Sequence, residues 1–296
     1  MNKENVLIYF RDSDNAPAYT TRNIYFGKFS DYPDYNREEG KPIDEALSGA
    51  IRGYQVDEDY YVLSDEVIYL RDQNSDGSFS HGLFNQFRLL EHIDFSNFDT
   101  SKVTDMSSMF FGCESLVSLD LSSFDTSNVT NMDSMFNGCE SLVSLDLSSF
   151  DTSNVTSMCE MFSNCSSLTS LDLSSFDTSE VVNMNYMFEG CESLVSLGLS
   201  SFDTSNVTDM MEMFSRCKSL TSLDLSSFDT SKVNGMDSMF EGCISLTAID
   251  LSSFDIFYVE GMNRIFDGCD SLPASSLSSF LSNIAKMNMV RRHTVF

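Results

Sequence analysis

The sequence predicts an α/β solenoid with one short parallel strand and one short helix in each 26-residue repeat, closed by a cap at either end. Three observations predict it. Phe98, Phe124, Phe150, Phe176, Phe202, Phe228 and Phe254 recur at intervals of 26 residues, each followed by an Asp. A period of that size belongs to stacked units that bury their apolar faces against one another, because no unit can do so alone. Within the unit the apolar spacing changes from two to three and four, which separates a strand from a helix. The repeat is absent from residues 1–79 and decays at the other end, where covering elements are needed.

Each element follows from its residues. In Leu116-Val117-Ser118-Leu119-Asp120-Leu121 the leucines alternate with polar residues, so a short strand with Leu119 and Leu121 inward and Ser118, Asp120 and Ser122 outward is expected. Between Val129 and Cys139, the residues Val129, Met132, Met135, Phe136 and Cys139 fall on one helical stripe. Ser127 or Thr130 would cap that helix, and Gly138 would permit a left-handed exit. Gly112, Gly190, Gly242 and Gly268 hold the same slot; Asn164 suits it too, while Arg216 predicts a different exit. Leu83, Phe84 and Phe87 lie 26 residues before Met109, Phe110 and Cys113, so residues 80–272 hold a partial repeat plus seven units.

Residues 1–79 read as a capping α/β module. Strands are expected at 6–10, 60–63 and 66–70, a surface loop at 33–42, one or two helical turns at 43–49 and a polar turn at 72–77. Residues 273–296 read as a C-terminal cap helix and tail. There Leu277, Phe280, Leu281, Ile284 and Met287 form an amphipathic stripe after Pro273, which can begin a helix but not sit inside one.

A formal charge of −28, from 45 acidic and 17 basic residues, argues against nucleic acid, whose phosphates require clustered Lys and Arg. No stretch is long and apolar enough for membrane insertion, and Val6–Phe10 is too short for a secretory signal. Seven of the eight cysteines, from Cys113 to Cys269, keep the 26-residue spacing. Stacking would hold them about 5 Å apart with parallel Cβ vectors, poor geometry for disulfides, so buried thiols are expected. No C-x₂-C pair suggests a metal site, and Cys159 stands apart in a slot that is polar in most repeats.

The phrases L-D-L-S-S-F-D-T-S-N-V-T at 119–130 and 145–156, and M-F-x-G-C-x-S-L at 135–142, resemble the BspA-like leucine-rich repeat proteins. In particular, they are similar to the bacterial surface-protein repeat of Listeria-type and mycoplasma lipoproteins, a domain of unknown function. This resemblance covers about two thirds of the chain. It implies a leucine-rich-repeat-like solenoid displayed outside the cell and engaged in adhesion or protein binding, with no catalytic residues to carry over. Two departures accompany it. Phe124 and its equivalents stand where ordinary leucine-rich repeats place Asn or Cys, so a stacked phenylalanine column is expected in place of a polar ladder. The signal and anchor of surface relatives are missing, which admits a cytoplasmic or virion-associated location beside the cell surface.

The expected strand face presents Asp94, Asp120, Asp146, Asp172, Asp224 and Asp250, with Gly198 interrupting the column. Like charges about 5 Å apart repel, which makes the column a candidate for calcium or a basic ligand. A solvated face that opposes edge pairing is the alternative. A second column, Asp99 to Asp255, sits in Asp-Thr-Ser contexts suited to accepting backbone N–H groups in turns. Phe257 and Tyr258 replace polar residues in the last repeat and mark either a partner site or a contact with the cap. Arg216 with Lys218 places positive charge on an acidic surface, and Tyr32, Tyr35, Tyr54, Tyr60 and Tyr61 make the first module aromatic, for recognition or for packing.

Catalysis finds no support: there is no G-x-S-x-G, Walker loop or H-E-x-x-H, and the chain has only 3 histidines. The expected function is a non-enzymatic repeat module for protein binding or adhesion, with calcium the one candidate cofactor. A structural component of a phage particle or cell-envelope assembly is the other reading.

Overall fold

A computed structural model describes residues 20–35, 39–42, 51–65, 67–69, 82–278, 280–282 and 284. The strand expected at 6–10, the helical turns at 43–49, the turn at 72–77, and Met287 lie outside them. Consecutive repeats stack in parallel register, 26 residues apart. Ser170–Leu171 pairs with Ser196–Leu197, and Ser222–Leu223 with Ala248–Ile249. Parallel bridges run on the opposite side from Asp105 through Asn131, Ser157, Asn183, Asp209 and Gly235 to Gly261.

The helix expected at Val129–Cys139 does not form; the segment is a chain of turns. Its N–H groups divide the work by alternation. Met135, Asn137 and Cys139 donate three residues back to Met132, Ser134 and Phe136, closing tight turns. The intervening Met132, Ser134, Phe136 and Gly138 donate across to Ser157, Cys159, Met161 and Ser163 of the next repeat. Two left-handed residues enforce this, Ser134 at φ 55° and Gly138 at φ 75°, and a right-handed helix tolerates neither. Spacings of three and four put side chains on one face of a helix, but turns closed three residues apart do the same. The expected left-handed exit recurs at Gly112, Gly190, Gly242 and Gly268; Arg216, for which a different exit was expected, adopts it too at φ 58°.

All apolar columns join one core from Ile24 to Phe280. Leu119 and Leu121 point inward as their alternation predicts, and the cysteines are free, each ladder thiol donating to a backbone carbonyl, as Cys139 Sγ does to Phe110 at 3.2 Å. Burial pushes those thiols well up, and Cys159 to about 12. The tight phenylalanine stack is not the Phe124 column but its neighbour. From Phe84 through Phe110, Phe136, Phe162, Phe188, Phe214 and Phe240 to Phe266, ring centroids lie 5.4–5.8 Å apart and nearly parallel. Beside the Phe124 column runs a buried threonine ladder. Thr126 Oγ1 donates to the Asp151 carbonyl at 2.9 Å and accepts the Asp151 N–H at 2.8 Å; the donation recurs from Thr100 to Thr230 and the acceptance from Thr100 to Thr204.

At the N-terminal side, β1 (Asn23–Lys28), β2 (Lys41–Pro42), β3 (Ile51–Val56), β4 (Asp59–Ser64) and β6 (His92–Asp94) form one sheet, in the order β2-β3-β4-β1-β6. β5 (Ile68–Tyr69) pairs separately with β7 (Phe98–Asp99). The strand expected at 60–63 is β4, that at 66–70 contains β5, and the loop expected at 33–42 ends in β2. β6 carries the first Asp of the strand column, and β1 lies parallel beside it; among the described residues the next paired strands of the column are Ser170–Leu171 and Ser196–Leu197. Phe26 packs on Phe84, Phe95 and Phe98, sealing the first repeat. At the far end Ala274–Leu277 is a 3-10 helix, and Phe280 packs edge-on against Phe254 and Phe266. Leu281, expected on the apolar stripe, is exposed.

Candidate functional site

The outward face of the strand column is built by alternation. Since Leu119 and Leu121 are held in the core, Ser118, Asp120 and Ser122 stand exposed, and Val117 with them. The same holds in the following repeats, so Asp120, Asp146, Asp172, Asp224 and Asp250 form an exposed column, with Asp94 half-buried at its head. Each carboxylate has a local partner. Asp120 Oδ1 accepts the N–H of Ser122 at 3.0 Å, and Asp94, Asp146, Asp172, Asp224 and Asp250 accept those of Ser96, Ser148, Ser174, Ser226 and Ser252 at 2.9–3.0 Å. Hydrogen bonds from the Ser122 hydroxyl and N–H hold Asp120 below the usual carboxylate range. For Asp146, Asp172 and Asp250 the serine N–H contributes most, then its hydroxyl. An Asp at this position therefore ends the strand by fastening the turn that follows, a local reason for the column besides ligand binding. At Gly198 a Cβ would meet nothing within 4 Å, so packing does not impose the gap.

The second column behaves alike, Asp125 Oδ1 accepting the Ser127 N–H at 3.0 Å and its hydroxyl at 2.6 Å. Among the described residues no group of three His, Cys, Asp or Glu side chains is placed to hold a metal ion, and no helix is long and apolar enough to cross a membrane.

The irregular residues separate. Phe257 and Tyr258 are 49% and 64% exposed and pack edge-on against each other, while Phe280 packs against Phe254 and Phe266. Arg216 and Lys218 are drawn into ion pairs with Glu189 and Glu192 of the preceding repeat, at 2.7 and 2.6 Å, so their charge is spent between repeats. Where the first repeats meet the N-terminal sheet, an open groove of about 400 Å³ is lined by Lys28, Ser96, Asp99, Ser123 and Asp125.

Sequence reasoning missed the head of the strand face. Tyr25 on β1 lies directly opposite Asp94 on one side and Tyr61 on the other, and Tyr32 and Tyr35 lean on Tyr61. Tyr60, grouped with these from the sequence, is in the core at 3% exposure. Alternation in Asn23-Ile24-Tyr25-Phe26 carries the signal for Tyr25, but only the pairing of β1 with β6 joins it to the Asp column.

Residues 80–196 and 191–295 each match the model of a family described as Mycoplasma protein of unknown function, DUF285. The chain belongs to the DUF285 family. Its family assignment agrees with the mycoplasma repeat identified in the sequence, and the matched residues comprise the stacked repeats. Comparison of this DUF285 chain with curated proteins gave no match. Among solved structures, a TLR13–ssRNA13 complex is similar at 19% identity and a TM-score of 0.30, over 71% of this chain and 35% of that one. The DUF285 chain thus spans about a third of the length of that protein.

Proposed function

We propose that the chain is a non-enzymatic module for protein binding, its stacked repeats forming a solenoid that offers the strand face as a contact surface. In this reading residues 1–79 and 273–296 cap the two ends, and adhesion at a cell surface is one use of the same face. The observation that carries it is the exposed strip itself. Val117, Ser118 and Asp120, with their equivalents, present hydroxyls, carboxylates and small apolar groups at constant spacing across the repeats. Backbone hydrogen bonds on the turn side join each repeat to the next, as from Phe136 to Met161 and Gly138 to Ser163, and the strip presents its side chains between leucines held in the core. An acidic strip in a chain of charge −28 favours a basic partner and a salt-dependent association rate.

The test is capture of partners by the intact chain and by a variant carrying Asp120→Lys, Asp146→Lys and Asp172→Lys. Loss of the captured proteins from the variant, with its melting curve retained, is the expected result. An unchanged set of partners would remove the strand face from consideration.

A further inference from the structure

Followed off its end at Asp94, the acidic column turns into a row of tyrosines. Asp94 lies opposite Tyr25, Tyr25 opposite Tyr61, and Tyr61 opposite Tyr54, and residues directly opposite in a sheet share one face. Tyr25 and Tyr61 stack at 4.9 Å and 16°. Tyr35 leans on Tyr61 at 4.8 Å, and Tyr32 meets it edge-on at 5.4 Å. Gly27 makes room for this arrangement, because a Cβ there would lie 2.4 Å from the Tyr32 ring. Tyr25, Tyr32, Tyr35 and Tyr61 remain half-buried and reach the surface.

We propose that these four tyrosines, with Asp94 at their edge, receive an arginine- or lysine-bearing segment of a partner protein, its cationic heads lying against the rings. The inference rests on the protein-binding reading and gives it a chemistry and a place. Ring faces carry negative potential and attract cations, most strongly where water is partly excluded. The surrounding charge has the same sign. Asp59 accepts the Tyr61 hydroxyl at 3.3 Å, and the charges of Asp59 and Asp94 act on Tyr25. Burial first, and then those carboxylates, raise the Tyr25 phenol above its usual range, so the ring stays neutral at physiological pH. The neighbouring cation Arg22 is paired with Glu58 at 3.0 Å and with Glu91. Anionic partners are repelled here, and an uncharged apolar segment would gain nothing from the charge of Asp59 and Asp94.

The probe is a short alternating Arg-Ser peptide, titrated into the intact chain at physiological ionic strength. Binding is read by calorimetry and by tyrosine fluorescence, which no Trp obscures. Tyr25→Leu with Tyr61→Leu keeps apolar bulk but removes the ring potential, and binding is expected to weaken about tenfold. Tyr25→Phe with Tyr61→Phe keeps the rings and should stay within about twofold of the parent. Tyr32→Leu, outside the strands, gives the same reading with a loss of about threefold should the double leucine variant fail to fold. Unweakened binding in the leucine variants, or equal loss in the phenylalanine pair, overturns the proposal. So does greater weakening by Asp146→Asn with Asp172→Asn, which would move the cation to the column while leaving protein binding intact. No binding of the peptide overturns the cationic chemistry alone, since partner capture tests the strand face separately.

Discussion

A repeat in the middle of the stack and the last repeat share the same apolar columns but have unequal surroundings. Met158, Met161, Phe162 and Cys165 are wholly buried between neighbours on both sides. Their equivalents Met262, Ile265, Phe266 and Cys269 of the last repeat are only partly buried. The hydrogen bonds differ in the same sense. Donation to the next repeat ends, among the described residues, with Gly242 to Asp267. The threonine ladder ends at the same step. Thr230 donates to the Asp255 carbonyl, and the position after it is Ile256, buried at 3%. A hydroxyl that bridges two repeats has no purpose where no repeat follows, and an apolar side chain serves burial better. Each repeat thus draws its stability from its neighbours more than from itself.

Truncating the aromatic stack should expose that inequality most. Phe162→Ala removes a ring held between Phe136 and Phe188 and should destabilise the chain by about 3–5 kcal/mol in chemical denaturation, whereas Phe266→Ala, with one stacked neighbour, should lose no more than about half of that. Equal losses would show that stacking on both sides adds nothing. Next comes the ladder. Thr152→Ile leaves the N–H and carbonyl of Asp177 without their partner and should lose about 1–3 kcal/mol, although isoleucine is native at the last step. Ile256→Thr should lose less than Thr152→Ile; the reverse order would break the account of why the ladder ends.

A smaller effect is expected where the backbone alone is at issue. Gly242→Ala meets no atom closer than 3.6 Å, so only its φ of +72° opposes a side chain, for about 1–2 kcal/mol in the melting curve. The smallest change per residue concerns pH. Asp120, Asp125, Asp146, Asp151, Asp172, Asp177, Asp224, Asp229 and Asp250 are all held below the ordinary carboxylate range by hydrogen bonds from the serine two residues on. A lowered folded-state pKa contributes stability that is complete above the ordinary value of about 3.9 and is lost as pH falls through and below it. Melting temperature should therefore be flat in these groups from neutrality down to about pH 5 and should fall below about pH 4. Middle repeats, whose Asp-x-Ser turns are all intact, should respond more than the repeat containing Gly198. Amide exchange resolved by repeat would reveal that difference.

Much of this was legible in the residues. The period, the inward leucines, the buried thiols, the left-handed Gly138 column and the acceptor role of Asp125 all follow from local chemistry repeated in register. The turn side was not. Val129, Met132, Met135, Phe136 and Cys139 satisfy a helical stripe, and nothing in their spacing tells a helix from successive turns. From the sequence the strand-face carboxylates read as a calcium or basic-ligand column or as a solvated face, and not as turn acceptors, because that role needs the chain to bend at Ser122, which the alternation of leucines does not reveal.

By itself, then, the sequence determined which residues are inside and how often the pattern returns, because burial and periodicity are properties of the chain's own order. The tertiary structure decided where backbone N–H groups go. A helix would bond them within the segment, whereas stacked neighbours offer carbonyls across the gap, and the left-handed residues at Ser134 and Gly138 turn alternate groups toward them. It also decided that Tyr25 stands at the head of the Asp column, since that depends on a pairing between strands nearly 70 residues apart.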